Sequence, residues 1–474
     1  MTDQFDLIAI GGGTAGLVSA AGAAYLGARV ALVERERLGG DCLWTGCVPS
    51  KALIASARAA QIRRDSGRLG ILGKARPVEF GDVMESMRAA REVVSHHDDP
   101  ARFRAMGVEV ISGSAEFIAA HTIRVGDRTL RAKRIVIATG AHPVFPPIPG
   151  LAEAGCLTHQ TVFDLTAAPA SMAVIGAGPI GVEFAQLFQR LGVPVVVLEV
   201  APQILPREDP QAAAVVRLAL EREGVTVHTG IQILRVARES GGRVVTWRRA
   251  DDVEQQVVVG EVLVAAGRLP NLEGLALERV GITSSRSGIR VDARLQTTVP
   301  GIWAAGDVSG GMPFTHVADY QARLVVRNAL TPFRASADYR AVPWVTYTDP
   351  EIARVGRTEE EAAAAGIEAR VWKFDFADLD RAITDRRREG FVKLVATPRG
   401  RLLGSTIVGA GAGELIAPVT LAMQQRLPLS ALASFVYPYP TMSEAVLRAA
   451  NLSRREQLNS FGGRVLKHIV RLGL

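Results

Sequence analysis

Two of the chain's three cysteines lie five residues apart, in the segment Gly39-Gly40-Asp41-Cys42-Leu43-Trp44-Thr45-Gly46-Cys47-Val48-Pro49-Ser50-Lys51. Two thiols so spaced can form half of a zinc site, pack as small apolar groups, or cycle between dithiol and disulfide. A zinc site needs two further Cys or His ligands at suitable spacing, and the chain offers none nearby. Packed thiols would not require the surrounding glycines. Pro49 suits the first turn of a helix, which would set Cys47 at that helix's N-terminus. There the free N–H groups and the helix dipole favour the thiolate. The segment therefore favours redox chemistry over zinc or packing. His96-His97-Asp98-Asp99 reads as a solvated helix end, so no metal site is expected, and Cys156 is assigned no role.

A second chemistry is written in a repeat. Residues 6–35, DLIAIGGGTAGLVSAAGAAYLGARVALVER, return at 171–200 as SMAVIGAGPIGVEFAQLFQRLGVPVVVLEV, at a constant offset of 165. Gly11, Gly13, Gly16 and Glu34 match Gly176, Gly178, Gly181 and Glu199. Each copy is an apolar strand, a G-x-G-x-x-G turn, a helix and a second strand ending in Glu. The first glycine permits the tight turn, the second lets backbone approach a pyrophosphate, and the third allows close helix–strand packing. The phosphates then meet the helix N-terminus. The closing acid can accept hydrogen bonds from an adenosine ribose. At Glu199 this favours NAD over NADP, because a carboxylate repels a 2′-phosphate and no arginine follows before Arg207.

The elements that must position these residues follow from the same pattern. RIVIATGAHP (134–143) and EVLVAAGRLP (261–270) are a second matched pair, with Gly140 and Gly267 in equivalent places. The expected fold is α/β, with two Rossmann-like dinucleotide-binding units, the second inserted into the first. A further strand should end on Gly306-Asp307. From residue 342 the pattern changes to an α+β region, with a capping box at Thr358–Glu361 and strands near 391–396 and 405–409. Apolar residues form 48% and charged residues 22% of the 474, which excludes disorder and coiled coil as descriptions of the whole. No apolar run is long enough to span a membrane. The net charge of +7 is interspersed, so a solvated basic surface is favoured over nucleic-acid binding. Few cysteines and no basic leader at Met1-Thr2-Asp3-Gln4 suggest the cytoplasm.

Taken together, GGDCLWTGCVPSK, both dinucleotide turns, IVIATG, AAGRLPN, the AAGD segment and VPWVTYTDPEIARVG resemble the class I flavoprotein (pyridine nucleotide) disulfide oxidoreductases over essentially the whole chain. That family includes dihydrolipoamide dehydrogenase, glutathione reductase and mercuric reductase. The resemblance implies an FAD-binding unit in 1–150 that carries the redox disulfide, and an NAD(P)-binding unit in 151–270. It further implies a second part of the FAD unit in 271–341 and a dimerisation domain in 342–474, hence a homodimer. Gly11, Gly13, Gly16, Glu34, Lys51, Thr139, Gly140, Asp307 and His316 would serve FAD, with Asp307 near the ribityl chain. Gly176, Gly178, Gly181, Glu199 and Gly267 would serve NAD(H) in preference to NADP(H). Cys47 would be the thiolate against the flavin and Cys42 the outer, exchanging thiol. Lys51 and Glu183 would form an ion pair beside them.

The chain departs from the pattern near its end. Disulfide-reducing members carry H-x-H-P-T-x-S-E, whereas here the stretch reads Tyr437-Pro438-Tyr439-Pro440-Thr441-Met442-Ser443-Glu444. Tyr439 stands where the acid–base histidine belongs, and a phenol that titrates near 10 is a poor base at neutral pH. Glu444, which would orient that histidine, is expected instead to close a capping box with Thr441 on a helix beginning at Ser443. Tyrosine followed by T-M-x-E is similar to mercuric reductases, yet no cysteine follows Cys156 to deliver a metal ion. The expected acceptor is a small metal ion, disulfide or other oxidant. The alternatives are a dihydrolipoamide dehydrogenase serving a lipoyl partner and a non-catalytic flavoprotein sensor. The basic tail 461–474 is expected to dock at the subunit surface rather than at a membrane.

Overall fold

The computed structural model describes residues 2–71, 77–249, 251–458 and 461–472. The first repeat opens a mostly parallel sheet. Its parallel strands are, in order, Val108–Ser112, Val30–Glu34, Thr2–Ile10 and Arg128–Ile137. Leu7, Ile8, Ala9 and Ile10 are buried without alternation, as a parallel strand covered on both faces requires. Arg128–Ile137 is long enough to serve two partners on its other side. Its first half pairs antiparallel with Thr122–Val125, which in turn pairs with Ala115–Ala119. Its second half pairs parallel with Ile302–Ala304, the strand expected before Gly306-Asp307.

Between these two visits the chain builds a second sheet. Met172–Ile175 lies at its centre between Val195–Leu198 and Glu261–Val264, with Thr226–His228 and Leu157–Thr158 outermost, all parallel. One face is covered by the helices Pro179–Arg190 and Pro210–Arg222. The other is covered by an antiparallel sheet, Gln232–Glu239, Gly242–Arg248 and Glu254–Val259, which packs Val245 and Trp247 against Val196 and Leu198. The chain leaves and re-enters the first unit through Ala141–Pro143 and Arg268–Pro270, and these two segments pair with each other as an antiparallel ribbon. The insertion read from the repeat is therefore physical.

The remaining chain forms a five-stranded antiparallel sheet in the order Pro343–Thr346, Glu351–Gly356, Leu402–Gly409, Phe391–Ala396 and Arg370–Asp375. Helix Glu444–Leu458 packs on it through Ala445, Val446, Ala449 and Ala450. The Thr358–Glu361 capping box forms as expected, with reciprocal bonds of 3.2 and 3.1 Å, and starts helix Glu359–Ala364. The box expected at Thr441–Glu444 does not form. The Thr441 hydroxyl donates to the Pro438 carbonyl at 2.8 Å, and the Glu444 carboxylate accepts from Arg448 one turn along the helix. A nearby carbonyl and a well-placed cation win over the reciprocal cap. His96–Asp98 is a single 3-10 turn, and Asp99 caps the next helix through a 2.7 Å bond from the Ala101 N–H. No helix among the described residues is long and apolar enough to cross a membrane.

Candidate active site

The two glycine turns are superimposable in chemistry, bond for bond. In the first, Gly11 N–H donates to Val33 at 2.8 Å and Ala138 N–H to Ile10 at 2.7 Å; in the second, Gly176 N–H donates to Leu198 at 2.9 Å and Ala265 N–H to Ile175 at 2.8 Å. Gly11 has φ +109 and Gly176 φ +99, and a Cβ would lie 2.3 Å and 2.7 Å from the carbonyl oxygens of Ala138 and Ala265. On Gly16 and Gly181 it would come within 1.8 and 1.9 Å of the turn's own first carbonyl. Only glycine fits any of these four places. Glu34 accepts from Gly12 N–H at 2.5 Å and Glu36 N–H at 2.7 Å; Glu199 accepts from Ala177 N–H at 2.5 Å and Ala201 N–H at 2.7 Å. Each acid thus locks its own turn. The helices that follow, Thr14–Tyr25 and Pro179–Arg190, are capped by Gly13 and Gly178 with no side-chain cap and no acid in the first turn. Their free amides suit a pyrophosphate twice over.

The cysteine segment is seated on the first of these turns. Gly39 N–H donates to the Gly12 carbonyl at 2.8 Å, and a Cβ on Gly40 would reach the Gly13 Cα at 2.8 Å. Cys42 lies in the short helix Gly40–Trp44, and Cys47 is the first residue of helix Cys47–Asp65, as Pro49 led one to expect. Trp44 fixes the bend between them. Its indole N–H donates to the Leu38 carbonyl at 2.7 Å, and the guanidiniums of Arg37 and Arg91 lie 3.8 and 5.5 Å from its ring.

Both cysteines are free thiols, Cys47 exposed and Cys42 half-buried. The Cys42 thiol lowers the Cys47 pKa to about 6, aided by the Thr315 hydroxyl 3.4 Å away and by the Lys51 charge, against burial and Glu183. Cys42 moves the opposite way, raised by the same partnership and by burial. One sulfur is poised to be anionic and the other to keep its proton. Lys51 Nζ lies 2.9 Å from Glu183 Oε2 and 4.5 Å from the Tyr347 ring centre. Burial opposes its charge, yet Glu183 and then Cys47 hold Lys51 above its ordinary value. The other Glu183 oxygen accepts from Tyr347 N–H at 2.8 Å, so the inserted unit, the redox helix and the C-terminal sheet meet at one carboxylate.

Behind Cys42 lies a second charged cluster. Arg268, on the ribbon, reaches Asp41 at 2.5 Å, Asp307 at 3.2 Å and His159 at 2.9 Å. Despite burial, His159 and Arg268 draw Asp41 well below the usual carboxylate range. Burial raises Asp307, with Asp41 adding to the effect and Arg268 opposing it. Thr139 and Gly140 are held by Asn271, whose side chain donates to the Thr139 carbonyl and whose carbonyl accepts from the Thr139 hydroxyl, both at 2.8 Å. Gly267 turns into the ribbon at φ +128.

Tyr439 is exposed, and its hydroxyl donates to Asp380 at 3.0 Å, which raises the phenol's pKa. Glu444 is buried, accepts from Arg448 and makes no bond to Tyr439. His316 Nε2 lies 2.7 Å from the Pro343 carbonyl, against the C-terminal sheet. Cys156 is half-buried, with burial pushing its thiol up to about 11. Asp41, His159, Arg268, Asn271, Thr315 and Tyr347 complete the site without having been singled out from sequence. Asp41, Arg268, Asn271 and Tyr347 stand inside the motifs; Thr315 and His159 carry no local signal.

The family model described as "Pyridine nucleotide-disulphide oxidoreductase" matches residues 5–322, and that of its dimerisation domain matches residues 342–450. A mercuric reductase of Streptomyces lividans is 36% identical over 457 residues, covering 94% of this chain and 95% of its own. A dihydrolipoyl dehydrogenase of Thermus scotoductus is 36% identical over 465 residues, covering 96% and 98%. Among solved structures, the Cu(II) complex of the HOCl-induced flavoprotein disulfide reductase RclA from Escherichia coli superposes with a TM-score of 0.85 at 30% identity, over 95% of this chain and 99% of that one. LpdA from Mycobacterium tuberculosis gives a TM-score of 0.86 at 30% identity, with the same coverage.

Proposed function

This chain belongs to the pyridine nucleotide-disulphide oxidoreductase family, an FAD-dependent family that uses pyridine nucleotides, and we propose that it carries electrons from NADH through FAD to Cys42 and Cys47 and on to a small oxidant. The observation that carries this reading is the setting of the two cysteines, with Cys47 at the first position of its helix, 3.4 Å from the Thr315 hydroxyl and beside the Lys51–Glu183 pair, and Cys42 in the short helix just before it. Bound FAD would supply the two-electron relay between nicotinamide and sulfur. The first turn, with Gly11, Gly13, Gly16 and Glu34, would hold FAD, with Thr139, Gly140, Asp307 and His316 on its flavin side. The second turn, with Gly176, Gly178, Gly181, Glu199 and Gly267, would hold the nicotinamide nucleotide.

Within that frame the side chains divide the work. Lys51, paired with Glu183, balances the Cys47 thiolate. Cys42 keeps its proton until an acceptor draws two electrons from the thiol–thiolate pair, which then closes to the disulfide with release of that one proton. Glu199 is oriented by two backbone amides, one on each oxygen, and would oppose a 2′-phosphate, which favours NADH. We assign 1–150 and 271–341 to the FAD unit, 151–270 to the nucleotide unit and 342–474 to dimerisation, and the cycling thiols suit a reducing cytoplasm.

Tyr439 decides between acceptors. A phenol tied to Asp380 is a poor base at neutral pH, which disfavours dihydrolipoyl or glutathione-type disulfides and favours an oxidising metal ion. The Cu(II) complex of RclA and the mercuric reductase relatives support that preference. The dihydrolipoyl dehydrogenase reading keeps support from the relative of that name. Anaerobic NADH should release two titratable thiols per subunit in the FAD-loaded protein and none in Cys47→Ser. FAD-bound protein that NADH cannot reduce would instead favour a sensor. NADH oxidation with Hg(II), Cu(II), lipoamide, glutathione disulfide or a quinone, with Cys42→Ser as control, then names the acceptor class. Faster turnover of lipoamide than of either metal ion at pH 7 would overturn the preference.

A further inference from the structure

Arg268 occupies an unusual position for a cation. Its Nη2 faces three acceptors, Asp41 Oδ2 at 2.5 Å, Asp307 Oδ2 at 3.2 Å and the Ala141 carbonyl at 3.2 Å, while its buried Nε has no partner among the described residues. It therefore makes no bidentate fork with either carboxylate and acts as a bridge between them. Nη1 lies 2.9 Å from Nε2 of the buried His159. Asp41 is pinned on its other oxygen by the Thr45 hydroxyl at 3.1 Å and the Gln160 amide at 3.2 Å. Asp41 is bonded directly to Cys42 in the chain, and Thr45 closes the bend toward Cys47.

Resting on the reading above, we propose that Arg268 is a positioning residue of the redox pair, which through Asp41 holds the Cys42 turn against Asp307 and the inter-unit ribbon so that the Cys42 thiol stays within reach of Cys47. One guanidinium then links the redox turn, the entrance of the inserted unit, the ribbon and the Gly306–Ser309 turn. Without it, two half-buried carboxylates face each other with no shared cation, and the turn that carries Cys42 is pushed away. The loss would be felt at Cys47, whose anion relies first on the Cys42 thiol.

The test uses the FAD-loaded protein reduced with dithiothreitol, with no nicotinamide present. The iodoacetamide reaction is followed against pH, and mass spectrometry separates modification of Cys47 from that of Cys42. Arg268→Gln and Asp41→Asn should each raise the Cys47 ionisation midpoint by about one unit, a tenfold fall in its ionisation constant. Arg268→Lys, which keeps the charge but loses the span, should fall between, and the double variant should go no further than Arg268→Gln alone. Midpoints within about 0.2 units of the parent in both single variants, or strictly additive effects, would overturn the proposal. Should Arg268→Gln not hold the flavin, Asp41→Asn, which keeps the Arg268–Asp307 contact, carries the same decision. Because no acceptor or nicotinamide enters, failure of NADH oxidation leaves this outcome readable.

Discussion

The Cys47 thiolate is the quantity on which the chemistry turns, and Cys42→Ala tests how it is made. Cys47 is lowered from 9.0 to about 6, a thousandfold gain in ionisation constant. The Cys42 thiol is the leading favourable partner, ahead of the Thr315 hydroxyl and Lys51. A hydrogen bond to a charged group contributes about 1.5–3 kcal/mol, or about one to two units. Alanine at 42 should therefore lift the midpoint to roughly 7–8. At pH 7 the thiolate share would fall from about nine-tenths to between roughly one-half and one-tenth. Thiolate absorbance and the iodoacetamide rate against pH both read this in flavin-loaded protein. Cys42→Ser, which retains an O–H donor, should recover most of the shift. A Cys42→Ala midpoint that stays near 6, or drops, would refute the reasoning and leave Thr315 and Lys51 as the source.

Three further outcomes follow from the same contacts. Lys51→Met should raise the Cys47 midpoint and Glu183→Gln lower it, because the two groups act on the thiolate with opposite sign; titration of each variant checks the pair. Glu199→Gln should raise the NADPH-to-NADH ratio of kcat/KM by about tenfold, since the amide no longer opposes a 2′-phosphate; initial rates at sub-saturating nucleotide measure it. Tyr439→His should raise disulfide-substrate turnover at pH 7.5 by about tenfold, a fraction of full acid–base catalysis because one Glu444 oxygen is held by Arg448. Adding Arg448→Ala should raise it again.

Local features of the site were open to residue-level reading, whereas long-range ones came through the family resemblance, as the Lys51–Glu183 pair did, or not at all. The two turns are fixed by glycine spacing and one closing acid, so a constant offset of 165 suffices to find both. The Cys47 helix start and the Thr358 box likewise depend on residues a few positions apart. Thr315 comes to Cys47 across 268 residues, and Tyr347 to Glu183 across 164, through the packing of whole sheets that no local pattern encodes. Arg268 sits in a motif, but its bridging of Asp41 and Asp307 depends on how the ribbon is laid over the redox turn. At Thr441 the spacing was right and the partner wrong, because the Pro438 carbonyl stands closer to hand than the helix amide.

The ribbon of Ala141–Pro143 and Arg268–Pro270 has a consequence for the history the chain permits. Exit and return run side by side, so in topological terms the whole nucleotide unit is the tip of a hairpin. Lengthening such a tip adds only a slowly growing closure entropy. A duplicated unit could thus enter an ancestral strand connection without breaking the sheet on either side. The junction that tolerated the guest is also the one that now carries Arg268, so the seam of the insertion has become part of the active centre.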